Sequence, residues 1–397
     1  MAALLSVEEA QRLILDRVER LPVETVPIEA AAGRVLAEAA TSRTDLPPFD
    51  SSAMDGFAVR SADTPGRLPV VARIAAGRPA PRELGAAEAM AIATGGAVPT
   101  GADAVIPLEY VVDRDNEIEI AARVEPGANV RPRAGDVRAG EVVVPAGVLL
   151  GAAQVGALAA AGIPDVVSAR RPTAAVLATG SELRPPGETL EPGQVYEANG
   201  FILAAQLAST GAHVRRLEPV ADDMEAHRRA LEAGLDADVL VTSGGVSVGP
   251  HDLVRSVGTA LGIEEVLWGV AVKPGKPLWF GVRGRTLVFG LPGNPVSSLV
   301  CFELFVRPAV LALQGAAEPL PRFEPGKLAA GLRRNPARME LVRARSRVVD
   351  GEVELEVLSG QESHMIARAA SADALVLVPA GDDELAARAP VSFLRLA

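Results

Sequence analysis

Three apolar runs in the middle of the chain each end in a loop of glycine, proline and small hydroxyl residues. Runs 174–178, 239–241 and 287–289 lead into Thr179-Gly180-Ser181-Glu182, Thr242-Ser243-Gly244-Gly245-Val246-Ser247 and Gly290-Leu291-Pro292-Gly293-Asn294-Pro295. A helical pattern follows each loop. Short apolar runs alternating with helices specify a parallel α/β sheet. Its loops converge at the carboxyl edge of the strands, where such sheets take ligands. Loops with many free backbone N–H groups suit an oxyanion. The pattern implies a soluble enzyme that acts on a phosphorylated or anionic substrate.

With 397 residues the chain exceeds one hydrophobic core, so several domains are expected. Segments 1–42 and 147–170 read as a discontinuous helical domain, with a short extended piece around Val23–Ile28 and with helix 151–161 packing back on the N-terminal helix. Segment 43–146 carries short β-like runs between Gly and Pro turns and reads as a β-rich insertion. Segment 171–315 is the α/β domain. Segment 316–397 returns to alternating runs, with Asp350-Gly351 as a hairpin signal, and reads as a C-terminal β-barrel. The fold class is therefore α/β multidomain, built around the central parallel sheet.

Composition narrows the function. The formal net charge of −11 argues against general nucleic-acid binding, which needs a basic surface. Aromatic residues make up 3%, too few for base-stacking platforms. No run of about 18 uncharged apolar residues is present, and the acid-containing N-terminus does not read as a signal peptide. No membrane association and a cytoplasmic location are expected. The single cysteine, Cys301, rules out an internal disulfide, and its place in an apolar helical run reads as core packing. The four histidines are scattered and show no zinc spacing.

Five segments carry candidate chemistry. In Phe49-Asp50-Ser51-Ser52-Ala53-Met54-Asp55-Gly56, two acids five apart could hold Mg²⁺ or simply cap a loop. Thr94-Gly95-Gly96 could approach a ligand closely or form tight turns. Glu182, Asp222, Asp223 and Asp252 fall on loops at one sheet edge, where carboxylates can share a cation or cap helices. Lys273 and Lys276, held in Lys273-Pro274-Gly275-Lys276-Pro277, offer point charges to an oxyanion or are ordinary surface lysines. Gly290-Leu291-Pro292-Gly293-Asn294-Pro295-Val296-Ser297 opens a long apolar helix with its free N–H groups exposed. No Gly-Lys-Ser/Thr follows a spaced glycine, so a P-loop is excluded.

Taken together, the runs FDSSAMDGFAVR, TSGGVSVG, VKPGKP and GLPGNPVS resemble the molybdopterin molybdenumtransferase family, which includes bacterial MoeA, the plant molybdenum insertase domain and the gephyrin E domain. The resemblance covers nearly the whole chain. It implies four domains and a homodimer whose active site is shared between the α/β domain of one subunit and the inserted domain of the other. It implies insertion of molybdate into adenylylated molybdopterin, with Mg²⁺ assisting the release of AMP. Molybdopterin adenylyltransferase and apo-molybdoenzymes are the implied partners.

Carried over by motif, Asp55, Asp136, Glu182, Asp222 and Asp252 would be catalytic acids, the last three also metal ligands. Thr94, Ser243, Gly244, Gly245, Ser247, Lys273, Lys276, Pro292, Gly293, Asn294, Pro295, Ser297, Arg338 and Ser363 would bind substrate, with Arg343 a further molybdate candidate. Two departures stand out. Ser51 occupies a place where the family often has Asn, and Gly269 a place where some members carry a functional lysine. Which of Asp222 and Asp223 matches the family acid is open. Adenylylation of molybdopterin and a non-catalytic dimeric scaffold are the alternative functions.

Overall fold

The computed structural model describes residues 4–246 and 253–396. Its centre is a six-stranded sheet in the order His213–Arg216, Thr173–Ala178, Val239–Ser243, Thr286–Leu291, Trp279–Arg283, Glu264–Trp268. The first four strands are parallel, as expected. Trp279–Arg283 runs antiparallel to both its neighbours, so Glu264–Trp268 returns to the direction of the first four; Trp279–Arg283 and Thr286–Leu291 are joined by two residues only. A connection that short allows only a hairpin.

Side chains alternate between the two faces of the strands. Ala174, Val176, Val239, Val241, Leu287 and Phe289 pack with helix Asn199–Ser209 on one face. Ala175, Leu177, Leu240 and Val288 pack with helix Met224–Gly234 on the other. From Thr173–Ala178 the chain crosses first to one side, then to the other. The topological switch point, the usual ligand crevice of such sheets, therefore lies between Thr173–Ala178 and Val239–Ser243.

The helix that follows the Gly-Pro loop runs Pro295–Leu313, with a π-helical turn at Phe302–Val306. At 19 residues and mean hydropathy 1.8 it is long and apolar enough to cross a membrane, yet 72% of it is buried inside the protein. It is the core helix of the α/β domain. Cys301 lies within it, fully buried, and desolvation holds its thiol pKa well above the usual value.

The N-terminal segment differs from the helical expectation. Among the described residues of segment 1–42, the α-helix is Val7–Leu15, capped at its start by a capping box between Ser6 and Glu9, with a single 3-10 turn at Ile28–Ala30. Pro22 and Pro27 cannot continue a helix, and Val23–Pro27, where an extended piece was expected, pairs with Asp165–Ala169. Helix Ala152–Ala160 does not pack on the N-terminal helix. Its Leu158 joins Val26, Leu36 and Val166 in one cluster, whereas Val7, Ala10 and Ile14 join the α/β core beside Leu304 and Val310.

The insertion holds a six-stranded sheet in the order Ala104–Pro107, Gly56–Val59, Ala89–Ile92, Gly66–Ile74, Glu117–Ile120, Val111–Asp113, with its own core around Phe57, Met90 and Ile118. Toward the C-terminus, Met339–Val349, Glu352–Val357, Phe323–Leu328, Pro390–Arg395 and Ala374–Val378 close into a five-stranded barrel. Asp350 and Gly351 both take positive φ, 52° and 79°, as a two-residue hairpin turn requires. Val272–Lys273 pairs in parallel with Met339 and Glu340, so the lysine turn of the α/β domain becomes an edge strand of the barrel sheet.

Candidate functional site

A cleft of about 610 Å³ lies where the α/β domain meets the barrel. Five residues singled out from the sequence line it: Lys273, Lys276, Ser297, Arg338 and Ser363. They come from four separate stretches of chain. Asn294 Nδ2 donates to Ser363 Oγ at 2.8 Å, and Val296 N–H donates to the Ser363 carbonyl at 3.0 Å, which ties the Gly-Pro loop to the barrel. Gly275 adopts φ 122°, and a Cβ there would lie 2.6 Å from the Cys301 sulfur. The lysine turn therefore needs glycine to sit down on the core helix.

The three cations of the cleft are not equivalent. Lys273 Nζ stands 2.6 Å from Glu340 Oε1, and Asn335 Nδ2 donates to the same oxygen at 3.2 Å. Among the described residues, Lys276 and Arg338 make no side-chain hydrogen bond or ion pair. Arg343 departs from its expected role. It is 2% exposed, and its guanidinium donates to the carbonyls of Gly360 (2.7 Å), Met365 (2.9 Å) and Glu362 (3.2 Å). Buried and bonded to these carbonyls, it organises the loop that presents Ser363 rather than facing the cleft.

The switch-point crevice adjoins the cleft across the Gly-Pro loop. Gly244, at φ 93°, leaves no room for a side chain: a Cβ would meet the Thr179 carbonyl and hydroxyl oxygens at 2.7 Å. Gly293 sits against Gly244, within van der Waals contact of an added Cβ. Ser243 was expected to bind substrate directly, but its hydroxyl is buried in a web that holds the loops. Asn199 Nδ2 donates to Ser243 Oγ and to the Gly293 carbonyl, both at 2.7 Å, and Ser298 Oγ donates to the Pro292 carbonyl at 2.6 Å. Sequence reasoning missed Asn199, Ser298 and Glu340. Asn at a helix start and Ser within a first turn read as ordinary capping, and nothing local marks Glu340.

The acids divide by geometry. Asp223 Oδ1 accepts from Ala226 N–H at 2.8 Å and caps helix Met224–Gly234. Asp222 instead turns to the first loop, where Ser181 Oγ donates to its Oδ2 at 3.2 Å. The Glu182 carboxylate folds over Gly180 of that same loop. Glu182 and Asp222 are exposed and have no cationic partner among the described residues. Ser247 and Asp252 lie outside the described residues. Among those described, no three His, Cys, Asp or Glu side chains gather as a metal site. Glu182 and Asp222 each offer hard carboxylate oxygens at the first loop, the donor type Mg²⁺ takes, often from one or two carboxylates plus substrate phosphate.

Asp55, Thr94 and Asp136 stand apart, on the insertion. Thr94 donates to Asp55 Oδ1 through its N–H at 2.7 Å and through its hydroxyl at 2.9 Å. Those bonds, the backbone one first, hold the Asp55 pKa below the usual value, so it is an anion at neutral pH. Asp136 is exposed, and its N–H donates to the Leu46 carbonyl. Among the described residues, no hydrogen bond or ion pair joins residues 47–136 to the α/β domain.

Known proteins match this architecture from end to end. Family models described as the MoeA N-terminal region (domain I and II), a probable molybdopterin binding domain and the MoeA C-terminal region (domain IV) match residues 5–162, 175–312 and 325–396. Molybdopterin molybdenumtransferase 2 of Mycobacterium tuberculosis is 36% identical over 96% of this chain and 97% of its own length. The molybdopterin molybdenumtransferase of a Nostoc species is 34% identical over 98% and 94%. A crystal structure of a molybdopterin biosynthesis MoeA protein from Pyrococcus horikoshii is 33% identical, with a TM-score of 0.74 and 99% of each chain covered.

Proposed function

The chain belongs to the molybdopterin molybdenumtransferase family, and from that premise we propose that it inserts molybdenum into adenylylated molybdopterin and releases AMP with the help of Mg²⁺. The observation that carries this reading is the cleft itself. Two domains bring Lys273, Lys276 and Arg338 to one surface with the hydroxyls of Ser297 and Ser363. Lys276 and Arg338, with neutral donors between them, suit a tetrahedral oxyanion, and a local field of this kind overcomes the acidic balance of the whole chain.

Molybdate sits in this cleft, and the pterin–nucleotide substrate lies along the adjoining switch-point loops, whose glycines let the backbone approach its phosphates. Glu182 and Asp222, with Asp252 a further candidate ligand, would hold Mg²⁺, which would supply charge neutralisation for the leaving AMP. Lys276 and Arg338 orient the molybdate oxygens, and the buried web of Asn199, Ser243 and Ser298 keeps the two loops at fixed separation. Asp55 and Thr94 of a second copy complete the site. Their solvated position on a lobe with its own core, with no hydrogen bond or ion pair to the α/β domain of the same chain among the described residues, supports that arrangement.

The test is anaerobic turnover of adenylylated molybdopterin with Mg²⁺ and molybdate, following AMP and molybdenum-bound pterin together. AMP release that depends on molybdate and is lost in Lys276→Met and Glu182→Gln is the expected result. Consumption of ATP with release of pyrophosphate would identify an adenylyltransferase instead.

A further inference from the structure

The cleft contains a carboxylate that anion binding alone does not call for. Glu340 belongs to the barrel strand Met339–Val349 and stands in register beside Lys273 in the parallel pairing that joins the two domains. Its side chain is 15% exposed, against 53% for Lys273, and the contact between them is 2.6 Å. Asn335 fixes the same carboxylate oxygen. A carboxylate this well held stays beside its lysine whether or not an anion arrives, so the charge of Lys273 is already balanced. Lys276 and Arg338 are the cations left over. Glu362 also lines the cleft but is exposed, where water and salt screen its charge.

We propose that Glu340 determines the charge specificity of the cleft: it neutralises Lys273, leaving two uncompensated cations that match a tetrahedral dianion. The inference rests on the reading of this cleft as the molybdate site. Two consequences follow from elementary electrostatics. Affinity for the dianion is held low enough for it to be passed on, since a unit negative charge nearby opposes each charge that enters. More highly charged anions such as pyrophosphate gain nothing from Lys273, so the cleft does not retain them. A residue that served only to hold Lys273 in place would have the opposite signature, because its removal would weaken binding.

Calorimetric titration of the full-length protein with sodium molybdate decides between the two signs. Glu340→Gln is expected to bind molybdate about tenfold tighter, from loss of one negative charge beside a dianion, and to gain more in affinity for pyrophosphate than for molybdate. Lys273→Met, which leaves Glu340 unpaired, is expected to weaken molybdate binding at least tenfold. Adding Glu340→Gln to Lys273→Met should restore affinity to within about threefold of the parent. That rescue tests the proposal even if Glu340→Gln alone fails to fold. Weaker or unchanged binding in Glu340→Gln, or a double variant no better than Lys273→Met, overturns the proposal and leaves the cleft reading intact. Failure of the parent protein to bind molybdate, or binding insensitive to Lys276→Met and Arg338→Met, overturns the cleft reading and this inference with it.

Discussion

The cleft between the α/β domain and the barrel, and the Asp55 tip of the insertion, are two halves of one proposed site built in different ways. The cleft is assembled within a single chain. A strand pairing, the Asn294–Ser363 bond and a buried arginine all brace it. At the tip the functional groups are exposed, and among the described residues the Asp55 carboxylate is held by Thr94 alone. Phe49 and Met54 are exposed beside it, as is Leu108, whose N–H donates to the Asp55 carbonyl. Rigid framing suits the half that must bind a small symmetric anion from solution. A half that completes its site on a second copy needs only a well-folded lobe and one ionised side chain presented to a partner.

The largest effect should come from breaking the division between the halves. Asp55→Ala is expected to lower kcat/KM by 10² to 10³, as for loss of one preorganised electrostatic group, with no change in melting temperature and none in molybdate affinity. Mixing Asp55→Ala with Lys276→Met protein should recover activity, because one site per mixed dimer keeps both residues. No recovery would place the whole site within one chain.

The bracing of the cleft is sharpened by Arg343→Met, which removes hydrogen bonds from a charged, buried donor. A loss of about 2–4 kcal/mol in unfolding free energy is expected, together with a raised KM for molybdate as the Ser363 loop loosens. Denaturant melts and initial rates would check both. A smaller effect attends Gly244→Ala. Its positive φ and the close Thr179 oxygens should cost about 1–3 kcal/mol and weaken pterin–nucleotide binding, while titration with molybdate alone should be unaltered.

The smallest effect is a pH shift. Thr94→Val removes the hydroxyl bond to Asp55 and keeps the backbone one. The Asp55 pKa then rises toward its usual value, so the acid limb of the kcat/KM profile should move to higher pH. An unmoved limb would mean that Asp55 does not limit activity on the acid side.

Much of this was legible in the sequence. Strands of the barrel and the parallel core were marked by alternation or by short apolar runs bounded by glycine and proline. The signal failed where strands were short or interrupted. Gly56–Val59 is only four residues inside a motif, and Phe323–Leu328 contains Pro325 and Gly326. Pro325 is tolerated because only Lys327 and Leu328 of that strand pair on the second side. In the N-terminal segment the extended piece at Val23–Pro27 was legible, whereas the helical reading was carried past it into residues 31–42, which form no helix.

What the sequence determined by itself was chemistry in order along the chain: which loops would be rich in free N–H groups, where cations and carboxylates would fall, and that the loops of the central sheet would meet at one edge. These follow from local rules, the strand period, the helix period and the conformational limits of glycine and proline. Only the tertiary structure decided which of those groups remain available. Asp223 caps a helix while Asp222 faces the neighbouring loop. Arg343 is enclosed by carbonyls while Arg338 lines the cleft. Lys273 is matched by Glu340 while Lys276 is not. A charged side chain reaches a ligand only if no nearer partner satisfies it, and that partner can lie dozens of residues away, as Glu340 does from Lys273.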